Sequence, residues 1–146
     1  MNSVQIIEYS GQHHRAFKEL NVEWLDRYGL LEPRDLEMLD DPHSTILDTG
    51  GIIYLAQSDD QIVGSAALLF EHDGVYELAK MAVARDYRGK GISKLLMDRC
   101  IKKVNELQAS KVTLFSNHQL KVALTLYEKY GSVMFRLKTL RSQLRM

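Results

Sequence analysis

The sequence is poor in cysteine and proline, and it has no long hydrophobic run. Among its 146 residues there is one cysteine, Cys100, so an internal disulfide is excluded. Cys100 falls on the apolar side of a predicted helix, where a buried thiol is expected rather than a nucleophile. No stretch approaches the roughly 18 apolar residues that a transmembrane helix needs, and the first residues lack the basic start and apolar core of a signal peptide. We therefore predict a cytoplasmic protein that does not associate with membranes.

Metal and nucleic-acid binding are not indicated either. The five histidines have no metal-ligand spacing relative to Cys100 or to carboxylates, so no metal site is predicted. The basic residues are not interleaved with aromatic residues, and no helix-turn-helix pattern is present. The net charge of zero also argues against a nucleic-acid partner.

The zero net charge conceals a strong division along the chain. Residues 1–77 contain 15 acidic and four basic residues, a net charge of −11, and residues 78–146 contain four acidic and 15 basic residues, a net charge of +11. A basic half favours a polyanionic ligand, and an acidic half favours a cation. The alternative is that the folded surface mixes these charges regardless of their order in the chain.

Hydrophobic periodicity and turn residues predict a mixed α/β fold. Strands are predicted over 4–9, 51–57, 61–70, 75–83, 111–116 and 133–146, and helices over 11–29, 32–42, 92–107 and 119–131. The turns SDD (58–60) and HDG (72–74) join three of the strands into an antiparallel meander. We therefore predict an α+β mixed sheet in one domain over residues 1–146, with the order β-α-α-β-β-β-α-β-α-β, in which the last segment forms one strand or two.

A glycine-containing loop, RDYRGKGISKLL (85–96), follows the last strand of the meander. Its spacing is not that of a G-x-x-x-x-G-K-[ST] loop, and a dinucleotide-binding G-x-G-x-x-G pattern fits Gly89 and Gly91 but lacks the third glycine. Glycines before a helix let backbone N–H groups approach an anion, and the helix dipole, Arg88 and Lys90 add positive charge. The loop residues alone leave a pyrophosphate site and a simple glycine turn equally open.

Two stretches around this loop resemble the GNAT family of acyl-CoA-dependent N-acetyltransferases. The family's Q/R-x-x-G-x-G/A loop is similar to RGKGIS (88–93), in which Ser93 replaces the last small residue. Its second motif is similar to ALTLYEKYG (123–131), although Ser132 stands where the family commonly has Phe. Leu120 stands where the family commonly has Asn, so Asn117 would have to take that role. The resemblance is specific over residues 75–131 and only topological over 1–74.

The resemblance implies a single-domain GNAT-like acyl-CoA N-acyltransferase fold, with the pyrophosphate of coenzyme A as the anion of the loop. It also implies which residues contact acetyl-CoA, the acyl donor. These are Met81, Val83, Arg88, Gly89, Lys90, Gly91, Ile92, Ser93, Asn117 and Ala123. The amide of Val83 is expected to meet the oxyanion, at a point where the family's strand splays through a bulge.

Acyl transfer from a thioester to an amine requires removal of an amine proton, stabilisation of an oxyanion and protonation of the departing thiolate. Glu77 is the predicted base, because a glutamate at this strand position has that role in one branch of the family. By strand alternation Glu77 shares a largely apolar face with Val75, Ala79, Met81 and Val83; the alternative is an ion pair with a nearby Lys or Arg. Tyr127 is implied as the acid by its place in the second motif, and the alternative is core packing.

The acceptor is predicted less sharply than the donor. Trp24 and Tyr28 lie four residues apart on the first helix, where they either line an acceptor pocket or pack in the core. Glu23 is expected to be solvated, and the alternative is that it reaches an acceptor. The acidic half favours a cationic acceptor, so a small-molecule or peptide amine is predicted. Pairing of the terminal strand across a homodimer is left open.

Three functions are compatible with these residues. The first is an N-acetyltransferase that moves an acetyl group from acetyl-CoA to a primary amine in a ternary complex, without a covalent enzyme intermediate. The second is a CoA-binding sensor or regulatory module without turnover, and the third is a Rossmann-like nucleotide binder. The presence of both Glu77 and Tyr127, which a binding module does not need, favours the enzyme.

Overall fold

The computed structural model describes residues 3–27, 29–115 and 134–138, which form a mixed sheet of six strands with flanking helices. The strands are β1 Val4–Glu8, β2 Ile52–Ser58, β3 Gln61–His72, β4 Val75–Val83, β5 Lys111–Phe115 and β6 Met134–Lys138. The helices are α1 His14–Arg27, α2 Pro33–Asp40 and α3 Ile92–Glu106, accompanied by 3₁₀ turns at Gly11–His13 and Arg85–Tyr87 and a π-helical turn at His43–Leu47.

The strands follow one another across the sheet in chain order. β1 to β4 pair antiparallel, which confirms the predicted meander, and β5 joins β4 in parallel. β6 pairs parallel with β5 and lies within the predicted terminal segment. The predicted helix over 119–131 and the remainder of the terminal segment lie outside the described residues.

Local sequence signals set the ends of the first two helices. α1 ends shortly before Gly29, whose φ of 66° is left-handed and suits glycine. Pro33 occupies the first turn of α2, where its missing N–H is harmless. The carboxylate of Asp35 accepts a hydrogen bond from the backbone N–H of Glu32 at 3.1 Å, which caps α2.

The sheet carries a hydrophobic core on each face, because alternate strand residues point to opposite sides. On one face, strand residues pack with residues of α1, α2 and the π-helical turn: Phe17, Leu39, Ile46, Ile53, Leu55, Ala67 and Leu69. On the other face, strand residues pack with α3, and this cluster includes Tyr54, Ala66, Leu68, Leu78, Ile92, Leu96 and Val104. The two helical layers therefore lie on opposite faces of the sheet.

Helix α3 is docked closely onto β3 at its first turn. A Cβ atom added at Gly64 would lie 3.0 Å from Ile92 Cγ2 and 3.1 Å from Leu96 Cδ1, so the strand needs glycine there. This contact fixes the N-terminus of α3, and with it the glycine loop, against the sheet. None of the helices in the described part of the chain has the length and apolar composition needed to cross a membrane.

Candidate active site

Strand β4 contains a bulge near its middle. Ala79 pairs with Ala67 and Ala82 pairs with Ser65, so two residues of β4 lie opposite one residue of β3. Within the bulge, Lys80 has a φ of 52°, a left-handed conformation that is rare for a residue with a side chain. Such a conformation costs about 1–3 kcal/mol and persists only where surrounding contacts hold it.

The bulge exchanges the two sheet faces to which alternate side chains of β4 point. Glu77 pairs with Leu69 and therefore lies on the α1–α2 face, whereas Val83 belongs to the cluster on the α3 face, against which Met81 also packs. The prediction that Glu77 shares a face with Met81 and Val83 is wrong, because simple alternation does not count the extra residue. Glu77 is nonetheless buried, with 9% of its surface exposed.

Among the described residues, no strand pairs with the second half of β4 on the side away from β3, and we call this side the open edge. β5 pairs with β4 over Val75–Leu78, and among the described residues no pairing with β5 continues beyond Leu78. The backbone N–H of Ala84 donates to Val63 on β3 at 2.8 Å. Because successive residues of a strand direct their N–H groups to alternate edges, the N–H of Val83 points to the open edge.

The glycine loop lies directly after this open edge, at the N-terminus of α3. Gly89 and Gly91 have φ values of 77° and 82°, and a Cβ atom added at either would meet no atom of the described residues within 4 Å. The glycines are therefore required by backbone conformation rather than by close packing against the described part of the chain. The first N–H groups of α3 have no acceptor within the helix, so they are available to an anion. The loop thus has the geometry needed for a phosphate group.

The side chains of the loop divide between the solvent and the core. Lys90 and Ser93 are exposed, and the Lys90 ammonium lies 5.3 Å from the centre of the Tyr87 ring. Ile92 is 2% exposed and packs in the α3-side core, so only its backbone can contact a ligand at the loop. Lys94 forms an ion pair with Asp98 one turn further along α3.

Arg88 points away from the loop and toward α1. Its Nε donates to the carbonyl of Val83 at 2.9 Å, and its Nη2 donates to Glu23 at 2.8 Å. The guanidinium carbon lies 4.7 Å from the centre of the Trp24 ring, while Nη1 is buried and has no hydrogen-bond partner among the described residues. Glu23 also pairs with Arg85 at 3.4 Å and keeps 37% of its side chain exposed, so it is partly solvated as expected, while its two ion pairs were not predicted.

Two buried polar contacts at the bulge were not predicted. Lys80 Nζ donates to Asp35 of α2 at 2.6 Å, and both side chains are largely shielded from solvent. Ser65 donates to the carbonyl of Lys80 at 2.6 Å and accepts from the amide of Asn21 at 3.0 Å. The sequence does carry one signal for them, because a lysine inside the apolar strand YELAKMAV needs a partner if it is buried.

Cys100 is buried in the α3-side core, as predicted. Burial raises the pKa of its thiol to about 12, so the thiol stays protonated at neutral pH. It is therefore unsuited to act as a nucleophile. Within the described ranges no three His, Cys, Asp or Glu side chains come together in a way that could hold a metal ion.

The predicted site residues thus fall into two groups. Glu77, Met81, Val83 and the loop 88–93 lie on β4 and at the start of α3. Trp24 joins them through its contact with Arg88. Tyr28, Asn117, Ala123 and Tyr127 lie outside the described residues, so their roles stay predictions from the sequence resemblance.

Comparison with known structures supports the fold. An acetyltransferase of the GNAT family from Staphylococcus aureus Mu50 superposes with a TM-score of 0.73 and 24% identity, over 88% of this chain and 82% of the other. A predicted acetyltransferase from Clostridium acetobutylicum, solved with acetyl-CoA, gives 0.68 and 19%, over 88% of this chain and 89% of the other. The PaiA N-acetyltransferase from Thermoplasma acidophilum, solved with coenzyme A, gives 0.66 and 18%, over the same shares of 88% and 89%.

No curated protein sequence matches the chain. The sequence model of the acetyltransferase (GNAT) family does match, over residues 14–131, which is most of the chain and includes α1, the β4 bulge and the glycine loop. The matched range thus contains most of the helices and strands described above, together with the loop. The chain therefore belongs to the GNAT family of acetyltransferases, which transfer acyl groups from acyl-CoA.

Proposed function

We propose that the protein is an N-acetyltransferase that moves an acetyl group from acetyl-CoA to a primary amine by direct transfer in a ternary complex. The observation that carries this proposal is the position of the glycine loop beside the open edge of β4. A phosphate at the loop and a thioester at the N–H of Val83 would then belong to one extended ligand that runs along this edge. We also propose that one domain spans residues 1–146 and, from the single cysteine, that it works in the cytoplasm.

The loop would hold the pyrophosphate of coenzyme A chiefly through its backbone. The N–H groups over 89–93 and the dipole of α3 attract the anion, and Lys90 adds a mobile positive charge. Arg88 contributes less directly than expected, since its guanidinium contacts Val83 and Glu23. Asn117 and Ala123 are proposed as further contacts on the basis of the sequence motif alone.

The open edge of β4 supports the role proposed for the Val83 amide. Acetyl-CoA supplies the thioester whose carbonyl becomes negatively charged during transfer. A fixed N–H directed at that oxygen stabilises the developing charge without reorganisation. The side chain of Met81 packs against the α3-side core and is proposed to shape the path of the donor.

The face reversal at the bulge supports Glu77 as the base. Donor contacts lie on the α3 side of the strand, and the Glu77 carboxylate lies on the α1–α2 side, from which an acceptor amine would approach. A buried carboxylate is a suitable proton acceptor for an ammonium group, either directly or through water. Tyr127 is proposed as the acid for the thiolate. Trp24 and Tyr28 are proposed to line the acceptor side.

Thermal unfolding with acetyl-CoA, CoA, NAD and ATP in parallel tests the proposal first. Ligand at 100 times its Kd adds about 2.7 kcal/mol, which raises Tm by several degrees for a chain of this size. Stabilisation by acetyl-CoA and CoA leads to a screen of amines that detects released thiol. Stabilisation by NAD or ATP alone would overturn the proposal, and binding of CoA without turnover of any amine would favour a sensor module.

A further inference from the structure

We propose that α1 positions the β4 edge segment, residues 80–83, for acyl transfer by holding it at both ends through polar contacts. This inference rests on the proposed function, because it assigns the segment's geometry to the reacting carbonyl. It adds four positioning residues, Asn21, Ser65, Glu23 and Arg88, none of which needs to touch the reacting atoms.

The first end of the segment is the bulge. The Asn21 side-chain amide donates to Phe17 O and to Ser65 Oγ, each at 3.0 Å. Ser65 Oγ donates in turn to the carbonyl of Lys80 at 2.6 Å. Asn21 and Ser65 are almost completely buried, with 1% and 0% exposed. Competition from water is therefore small, and the chain of hydrogen bonds fixes the direction of the Lys80 carbonyl.

The second end of the segment is Val83. Its carbonyl accepts from Arg88 Nε, and Arg88 is held by Glu23, two residues after Asn21 on the same helix. Trp24 lies against the guanidinium and restricts its rotation. One helix thus contacts both ends of the segment, in each case through a single intermediate side chain.

These contacts determine where the N–H of Val83 points. The N–H and the C=O of a strand residue are directed to the same edge, so holding the carbonyl of Val83 also orients its N–H. Holding the Lys80 carbonyl keeps Lys80 in its left-handed conformation. This conformation determines to which face and edge of the sheet the residues after the bulge point. If either contact is lost, the N–H shifts relative to the thioester carbonyl, and a displacement of about 1 Å can lower the rate a hundredfold.

Two variants test the two ends separately. Ser65→Ala removes the donor to Lys80, and Ser58→Ala removes a hydroxyl from another buried serine on β2, which is 2% exposed, as its matched control. Glu23→Ala releases Arg88. Glu23→Gln keeps an oxygen acceptor for Arg88 Nη2, so this variant should retain most of the parent protein's activity. Glu19→Ala removes an exposed glutamate from the same helix and serves as the second control.

The readouts are chosen so that loss of folding alone cannot mimic the effect. Infrared difference spectra of acetyl-CoA labelled with ¹³C at the carbonyl measure polarisation of the bound thioester. We expect Ser65→Ala and Glu23→Ala to move this band toward its position in free acetyl-CoA and to lower kcat about ten- to a hundredfold. The Kd for acetyl-CoA should stay within about threefold, because the loop over 88–93 retains its backbone geometry, and both controls should match the parent protein.

The outcomes separate this inference from the proposed function. If the parent protein binds and uses acetyl-CoA but both variants keep its carbonyl band and kcat, the positioning role is refuted and the acetyltransferase stands. If activity falls only in proportion to the unfolded fraction, with an unchanged band, the contacts are structural and the inference is again refuted. If the parent does not bind acetyl-CoA, the proposed function itself fails.

Discussion

The buried ion pair between Lys80 and Asp35 leads to the sharpest stability prediction. Only 7% and 12% of these side chains are exposed, and Nζ lies 2.6 Å from Oδ1. Replacing Lys80 by Met keeps the length of the side chain but leaves a buried carboxylate without its cation. Removal of one partner from a buried pair costs about 3–5 kcal/mol. Asp35→Leu leaves a buried ammonium unpaired and should cost a similar amount.

The double variant Lys80→Met/Asp35→Leu should be far more stable than the sum of the single effects predicts. Neither charge is then buried without a partner, and apolar replacement of a whole pair is often neutral or stabilising. The loss of the hydrogen bond from Glu32 to Asp35, which caps α2, leaves a net cost of about 1 kcal/mol. A double-mutant cycle should therefore give a coupling energy of at least about 3 kcal/mol.

Urea unfolding followed by fluorescence measures these free energies, since Trp24 is the only tryptophan in the sequence. A single domain of this size is expected to unfold in one cooperative transition. The matched control is the pair Lys18–Asp40, which joins α1 to α2 and is 41% and 57% exposed. Its coupling should be below about 1 kcal/mol. A coupling as small as this for Lys80 and Asp35 would refute the reasoning.

Three further measurements test the site, and a fourth tests the burial of Cys100 in the core. Gly91→Asp should abolish acetyl-CoA binding, because it places a carboxylate at the proposed pyrophosphate site. Gly29→Asp, also at positive φ, controls for the backbone strain of about 1–2 kcal/mol. Retained binding by Gly91→Asp would contradict the loop assignment. Glu77→Gln should lower turnover less at high pH, where the acceptor amine is already deprotonated, and an equal loss at every pH would argue against a base. Tyr127→Phe should lower kcat and leave acetyl-CoA affinity within a few-fold, whereas unchanged turnover would remove Tyr127 from the mechanism. The buried thiol of Cys100 should not react with a thiol reagent in the native protein. Because its pKa is raised to about 12 from 9.0, stability should fall as pH rises above 9, by about 1 kcal/mol at pH 10 relative to Cys100→Ala. A parallel pH dependence in the two proteins would contradict this burial effect.

Within the described residues, the sequence predicted the main helices and strands well because their signals are local. The strand predicted over 75–83 is found at Val75–Val83, and the turns SDD and HDG connect the strands as expected. The π-helical turn at His43–Leu47 was missed, since five residues carry no detectable periodicity. The glycine loop was predicted from residue types alone, because both positive φ angles fall on glycines.

The site was predicted less completely because its geometry depends on contacts between distant segments. A bulge is defined by the register of two strands, and the period-2 pattern of β4 alone continues through it without a break. Asp35 and Lys80 are 45 residues apart in sequence, and Asn21 and Ser65 are 44 apart. Nothing in either local sequence identifies the partner. The roles of Met81 and Val83 could be proposed from motif position, but the face that they occupy could not.

The division of charge along the chain acquires a physical explanation from these contacts. Glu23 pairs with Arg85 and Arg88, and Asp35 pairs with Lys80, so acidic residues of α1 and α2 meet basic residues of β4 and the loop after it. Part of the charge separation is therefore used inside the fold, where the acidic half packs against the basic half. The exposed Lys90 is not used in this way, and it lies in the loop where an anion is expected. The charge asymmetry thus contributes to the packing of α1 and α2 against β4 and the loop after it, because their acidic residues pair with the inward-facing Lys80 and Arg88. The exposed Lys90 adds positive charge to the loop where an anionic donor is expected.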